Sequence, residues 1–282
     1  TVNFEDVTIS GSKAQYGGGI YLSSNATCSI TNSTIKDNIG TVRGGGISNN
    51  SGTISNIINS TISGNICTDF GGGGIYNEDA TITLIANSTI ANNTSSGQGG
   101  GIYIFSDFGS SSITMSNSTV SGNSATGNGD DIRNGGSFTV ANSIIDDYYG
   151  STSLTDNGYN VVETSNIAAN ATGGFNNATS ILYNTKYNVS GTSFTSWSQG
   201  GTDPLNQTLG LSSTLALNSS TVGTYTLSLS VGSFAAGSST ASIPSTSNWN
   251  NSPQIGSEYT DQRGVVRTSG QNTSIGAYSD NY

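Results

Sequence analysis

The 282 residues contain no histidine, so no imidazole can act as a general base here. Charge is scarce, with 7 Lys and Arg against 17 Asp and Glu, and the net charge of −10 argues against nucleic acid as a partner. No 18-residue apolar run is present, which removes the usual signature of a membrane-spanning helix. No stretch of ten or more residues follows a 3.6-residue apolar period, so helical repeats are a poor fit. Only two cysteines occur, Cys28 and Cys67, at different points of the internal period, and they read as small buried or half-buried thiols rather than as a disulfide. The compartment therefore cannot be read from cysteine. Low charge alone might suggest disorder, but disordered chains lack the periodicity seen here.

What is abundant is glycine, 39 in all, arranged on a beat. A glycine run followed by isoleucine recurs at Ile20, Ile47, Ile75 and Ile102, and, with the glycines eroded to Gly129, Asp130 and Asp131, at Ile132. The steps are 27, 28, 27 and 30 residues. An Asn-Ser-Thr-Ile element keeps the same beat, its aliphatic residue falling at Ile9, Ile35, Ile62, Ile90, Val120 and Ile145. A fixed period of this length marks a solenoid, whose units bury their apolar faces only by stacking.

Five residues before each of those aliphatics stands another largely apolar residue: Phe4, Ile30, Ile57, Ile85, Met115 or Val140. Apolar residues two apart extend this segment at Ile113 and Phe138, and more weakly at Val2 and Cys28, which is the pattern of a strand with one face inward. An odd gap of five requires a bend that resets the phase. Asp6, Asn32, Asn59, Asn87, Asn117 and Asn142 sit where that bend must fall, and Asn and Asp tolerate the left-handed conformation it needs. Each coil thus reads as strand, asparagine bend, strand and glycine-rich turn, with chain enough for three short sides at about 3.3 Å per residue. The expected fold is all-β: a single-stranded right-handed parallel β-helix with coils of about 27 residues. Residues 1–149 hold the regular repeats. Residues 150–282 read as an irregular continuation and C-terminal cap, with a cleanly alternating strand at 226–231.

These repeats, Gly-Gly-Gly-Ile-Tyr and Asn-Ser-Thr-Ile-x-x-Asn, resemble the right-handed β-helix of bacterial surface proteins called choice-of-anchor Q, related to polymorphic outer membrane protein repeats. The similarity continues in Gly158 to Val162, Asp203-Pro204-Leu205, residues 231–237, Asp261-Gln262-Arg263-Gly264 with Arg267, and Ile275-Gly276-Ala277-Tyr278. Ser274 and Ser279 stand where that family usually has acids, and Phe234 where it has proline. The resemblance implies an extracellular or cell-surface architecture without catalysis, structural or adhesive in role.

Other readings compete with that one. Many parallel β-helices act on acidic polysaccharides, and Asp130, Asp131, Arg133, Asp146 and Asp147 form a candidate cluster for acid–base work or a calcium site. The same two acids also replace glycines of a repeat turn, which is a structural explanation. Arg43 and Arg133 are the only arginines in the repeats, too few for a clamp on substrate carboxylates. Thr8, Thr34, Thr61, Thr89 and Thr119 form an expected outward file, but Lys36 interrupts the matching file that an ice-binding face would need, so the file reads as a β-branched ladder.

Asn-x-Ser/Thr triplets occur at fifteen places, and Asn32, Asn59, Asn87, Asn117 and Asn188 are candidate glycosylation sites. No catalytic residue, metal ligand or cofactor is assigned. Val2, Phe4 and Ile9 open the first coil at once, and that edge is expected to meet another copy, giving a head-to-tail homo-oligomer. Glycans are the other expected partner.

Overall fold

Strands that stop at asparagine and glycine are what the repeat requires, and the computed structural model has them. The structure describes residues 1–107, 110–150, 154–157, 160–163, 181–183, 254–255, 258–260 and 266–267. These form a parallel β-solenoid of about five regular turns, with no helix among the described residues. Ile9, Ile35, Ile62, Ile90, Val120 and Ile145 stack in register, and the file goes on through Val162 to Leu182. Phe4, Ile30, Ile57, Ile85, Met115 and Val140 make a second stacked file. Between them these two files supply much of the core. Gln254–Ile255, Glu258–Thr260 and Val266–Arg267 form a separate small antiparallel sheet. Asn188, the strand expected at 226–231 and the similar segments at 203–205, 231–237 and 275–278 lie outside the described residues.

Each regular coil carries four short strands where three sides are expected. In the second coil they are Thr27–Thr31, Thr34–Lys36, Ile39–Arg43 and Ile47–Asn50. Stacking yields a first sheet of seven strands, a second of eight, a third of five and a fourth of six. The third sheet escapes the apolar pattern because one of its stacked positions holds only small residues: Ala14, Gly40, Cys67, Ser95 and Ala125. Cys67, towards the turn by its phase, in fact sits in that row, and both it and Cys28 are free, buried thiols. Ile54 and Ile82 also escape the pattern. An extra residue in each of their strands forms a bulge, so their distance from the bend is one longer than in Cys28 or Ile113.

All four corners use the left-handed conformation. The first is the asparagine bend, with φ of 54° at Asp6, 50° at Asn32 and 47° at Asn87. The second falls at Gly11, Asp37, Gly64, Asn92 and Gly122, and the third at Gly17, Gly44, Gly72, Gly99 and Gly129. Asn25, Ser51 and Asp79 make the fourth. The two glycines after each third corner serve another purpose. A Cβ on Gly73 would lie 2.3 Å from the carbonyl oxygen of Gly100 in the next coil. Close approach of backbone to backbone explains that glycine, whereas Gly11 is explained by φ alone, since a Cβ there would meet nothing within 4 Å.

The two kinds of glycine should therefore respond differently. Gly11→Ala is expected to lower stability by about 1–2 kcal/mol, the penalty of a left-handed alanine. Gly73→Ala must push two coils apart, and a loss of about 3 kcal/mol or more is expected. Urea unfolding of both variants measures the contrast; equal losses would mean that contact between coils does not set the glycine run.

Candidate functional site

Inside the second corner runs a ladder of buried asparagines, Asn38, Asn65, Asn93 and Asn123. Each side-chain amide donates to the side-chain oxygen of the next coil's asparagine, at 3.0, 2.9 and 2.8 Å in turn. Each also donates to a core carbonyl of the coil before, as Asn65 does to Ile35 at 3.0 Å. From Asn65 onward each asparagine's Oδ1 also accepts the backbone N–H of the preceding asparagine, 3.1 Å for Asn38 N onto Asn65 Oδ1. A ladder of this kind must end. After Ile145 the chain passes straight to Tyr148 in the fourth sheet, leaving out the third, so 16 residues separate Ile132 from Tyr148. No asparagine is delivered beneath Asn123. Asp131 fills the place instead: its Oδ1 accepts from Asn123 Nδ2 at 2.6 Å and Asn123 N at 3.0 Å, and its Oδ2 from Asp147 N at 2.9 Å.

This geometry explains why the glycines give way here. A Cβ on Gly100 or Gly101 would meet the backbone of Asp130 or Asp131 in the next coil. Below those aspartates there is no third strand, so side chains fit and take over the missing coil's hydrogen bonds. Asp130 Oδ1 accepts Ala125 N at 2.8 Å, closing the last strand of the third sheet, and Asp147 Oδ2 accepts Asp130 N at 2.7 Å. Of the expected acid cluster, Asp131 is wholly buried and Asp147 nearly so. Asp146 accepts from Ser121 Oγ at 3.3 Å. Arg133 is not with them. It makes no ion pair among the described residues, donating to Gln98 Oε1 and the Asn134 carbonyl, both at 2.8 Å. Among the described residues no three His, Cys, Asp or Glu side chains could together hold a metal ion. Burial, then the nearby Asp146, push the Asp131 carboxyl well above its usual range.

The other candidates resolve from the same motif. In Asn-Ser-Thr-Ile the asparagine makes the first corner, with Asn59 Nδ2 donating to Asn32 Oδ1 at 3.3 Å and Asn142 Nδ2 to Asn117 Oδ1 at 2.5 Å. The serine makes a ladder of its own, its Oγ accepting the preceding serine's N–H from Ser33 through Ser143. Asn160 Oδ1 ends that ladder, accepting Ser143 N at 2.9 Å. Asn87 and Asn117 are buried, so the fold has no room for a glycan on either, while Asn32 and Asn59 are half-buried. Thr34, Thr61, Thr89 and Thr119 are buried as well; only Thr8 of the expected outward file faces solvent.

One surface differs in chemistry from the rest. The residue after each repeat isoleucine, or after Tyr148 where it takes the isoleucine's place, stacks in the fourth sheet as Tyr21, Ser48, Tyr76, Tyr103, Arg133 and Tyr149; Ser48, Tyr76 and Tyr103 are covered, and the others are at least partly exposed. Beside it, at the third corner, Tyr16 pairs with Arg43, Arg43 with Gly71, and Gly71 with Gln98. Phe70 stacks on Tyr103 at 6.1 Å and meets Tyr76 and Phe105 edge-on. The Arg43 guanidinium lies 5.0 Å from the Phe70 ring and 5.4 Å from that of Tyr76, and pairs with Glu78. Arg133 lies 4.8 Å over Tyr149. Tyr76 is fully buried, and among the described residues its hydroxyl has no hydrogen-bond partner, nor has Arg43 Nε. Burial raises the Tyr76 hydroxyl pKa far above its usual value. Gly71 makes the packing possible, since a Cβ there would lie 2.5 Å from the Tyr103 ring. The sequence marks part of this surface through the residue that follows each repeat isoleucine, Tyr21, Tyr76, Tyr103 and Arg133 among them, whereas Arg43, Phe70 and Gln98 carry no periodic signal of their own.

Residues 1–129 match the family model described as a right handed beta helix region, in accord with the solenoid. Comparison with curated proteins and with solved structures gives no match.

The raised Asp131 carboxyl ties stability to pH. A folded-state pKa above the unfolded value stabilises the fold at low pH, and the gain is lost as pH rises through the folded value. Asp131→Asn cannot ionise, so its stability relative to the parent should improve between pH 4 and pH 7. Urea midpoints of both proteins at the two pH values provide the check; an unchanged difference would show that Asp131 titrates as an ordinary carboxyl.

Proposed function

We propose that this chain is a secreted or cell-surface β-helix that acts by binding, as a structural and adhesive element, and not by catalysis. One observation carries the reading: aromatic and guanidinium side chains gather along one corner of a surface otherwise rich in Ser, Thr, Asn and Gly. The acids best placed for chemistry are, by contrast, engaged in closing a sheet edge and a buried ladder. The likeness to choice-of-anchor Q surface proteins supports the same reading. Head-to-tail association of copies belongs to the proposal too, because every coil of a parallel solenoid offers its neighbour the same in-register backbone.

Cleavage of polysaccharide is the competing reading. A panel of neutral and acidic polysaccharides, followed by reducing-end release and by absorbance of unsaturated uronates, is expected to show no turnover. Turnover that disappears in Asp131→Asn or Asp146→Asn would overturn the proposal in favour of an enzyme. Light scattering across a concentration series addresses association: mass should rise with concentration, and a constant monomer mass would remove that part of the reading.

A further inference from the structure

We propose that the aromatic and arginine row is a binding track for a neutral glycan chain lying along the solenoid axis; this deepens the adhesive reading and rests on it. The row draws on the third corner and on the start of the fourth sheet, and every coil supplies at least one group: Tyr16 with Tyr21, then Arg43, Phe70 next to the in-register Gly71, Gln98, Arg133 and Tyr149. Coils are about 4.8 Å apart, so six of them extend over about 24 Å. Tyr21, Tyr16 and Phe70 are 49, 40 and 39 % exposed, and the others are partly exposed. Every member ends in a flat group. Rings can stack on the C–H faces of sugars, and the guanidinium and amide groups between them can bond hydroxyls.

The track is also held in place before any ligand arrives. Glu78 and two rings hold Arg43, while Gln98, Asn134 and Tyr149 hold Arg133. Side chains already ordered lose little further entropy on binding. Two of the five N–H groups of Arg133 are used in the contacts named, leaving donors for a ligand.

Charge selects among glycans. The chain carries −10, Arg43 is already neutralised by Glu78, and Asp79 and Asp107 lie near enough to that pair to raise the Glu78 carboxyl further after burial has done so. A polyanion would approach against this field, and a neutral chain would not. Along the row Arg43, Gln98 and Arg133 stand between the rings of Tyr16 and Tyr21, of Phe70 and of Tyr149, so polar groups interrupt the continuous apolar core expected of a protein-binding patch.

The test is calorimetric titration of the whole chain with linear neutral glucans, mannans and galactans of increasing length, beside polygalacturonate and alginate. Affinity for at least one neutral chain should rise with length until the row is spanned and then level off. Phe70→Ala, Arg133→Ala and Tyr149→Ala should each weaken it about tenfold or more, while Ile66→Ala, an exposed apolar residue off the row, should leave it unchanged. Hydrogen exchange gives a readout free of mutation, with slowing expected along residues 98–105 and 132–150 of the parent protein. Binding of acidic chains alone, or binding indifferent to the row variants and without that protection, overturns the inference. Adhesion to cell-envelope material that survives removal of its glycans would overturn it while sparing the adhesive reading. Failure of the protein to adhere to any such material would overturn that reading itself.

Discussion

Everything in this fold depends on backbone hydrogen bonding between successive coils in register. Each coil donates to and accepts from its neighbours all the way round, not only in the strands but at the glycine turns, where Gly45 N, Gly46 N and Ile47 N reach Gly72, Gly73 and Gly74 carbonyls at 2.9 to 3.1 Å. Such pairing is possible only if every coil returns to its starting point over the same path. In the regular coils the chain therefore turns at the same four places, and these turns draw on residues that tolerate the left-handed conformation. The scarcity of charge follows from this as much as the wealth of asparagine and glycine does. With coils about 4.8 Å apart, any charged side chain in an interior file would stack directly on its equivalents.

Asparagine solves two problems with one side chain. At the first corner its backbone takes the unusual φ; at the second its side chain fills the interior and repeats, coil after coil, the hydrogen bond that a strand would otherwise make there. The ladder propagates because an amide both donates and accepts along one line. A carboxyl group brings two oxygens that accept and no N–H to pass on, so it suits the end of such a line. Asp131 occupies that end. What reads in isolation as an acidic pair suited to catalysis is thus the stop of a polar ladder at the coil where the solenoid narrows.

How much of this could be read in the sequence depended on whether a position was marked by a large residue. Ile35, Ile62 and Ile90 announce their stacking because isoleucine is rarely spaced so evenly without a core to fill. Asn32 and Asn87 announce the first corner because the phase between two apolar positions has to be reset. The third sheet, built on Gly40, Cys67 and Ser95, leaves no such mark. Ile54 and Ile82 were hidden by a bulge that shifts spacing without changing composition. The burial of Thr61, Thr89 and Asn87 was invisible for a related reason: alternation tells which side of a strand a residue faces, but not whether that side meets solvent.

The candidate site was hidden by a difference in scale. The row from Tyr16 to Tyr149 is assembled from residues 16, 43, 70, 98, 133 and 149, far apart in the chain and each ordinary where it stands. Only stacking makes them neighbours, Arg43 over Phe70 and Tyr76, Arg133 between Gln98 and Tyr149. A solenoid turns a sparse periodic choice into a continuous surface, while aliphatics and amides fill its interior. Function in such a molecule is written along the axis, one side chain per coil. The recognition best suited to it is that of a ligand which is itself a repeat.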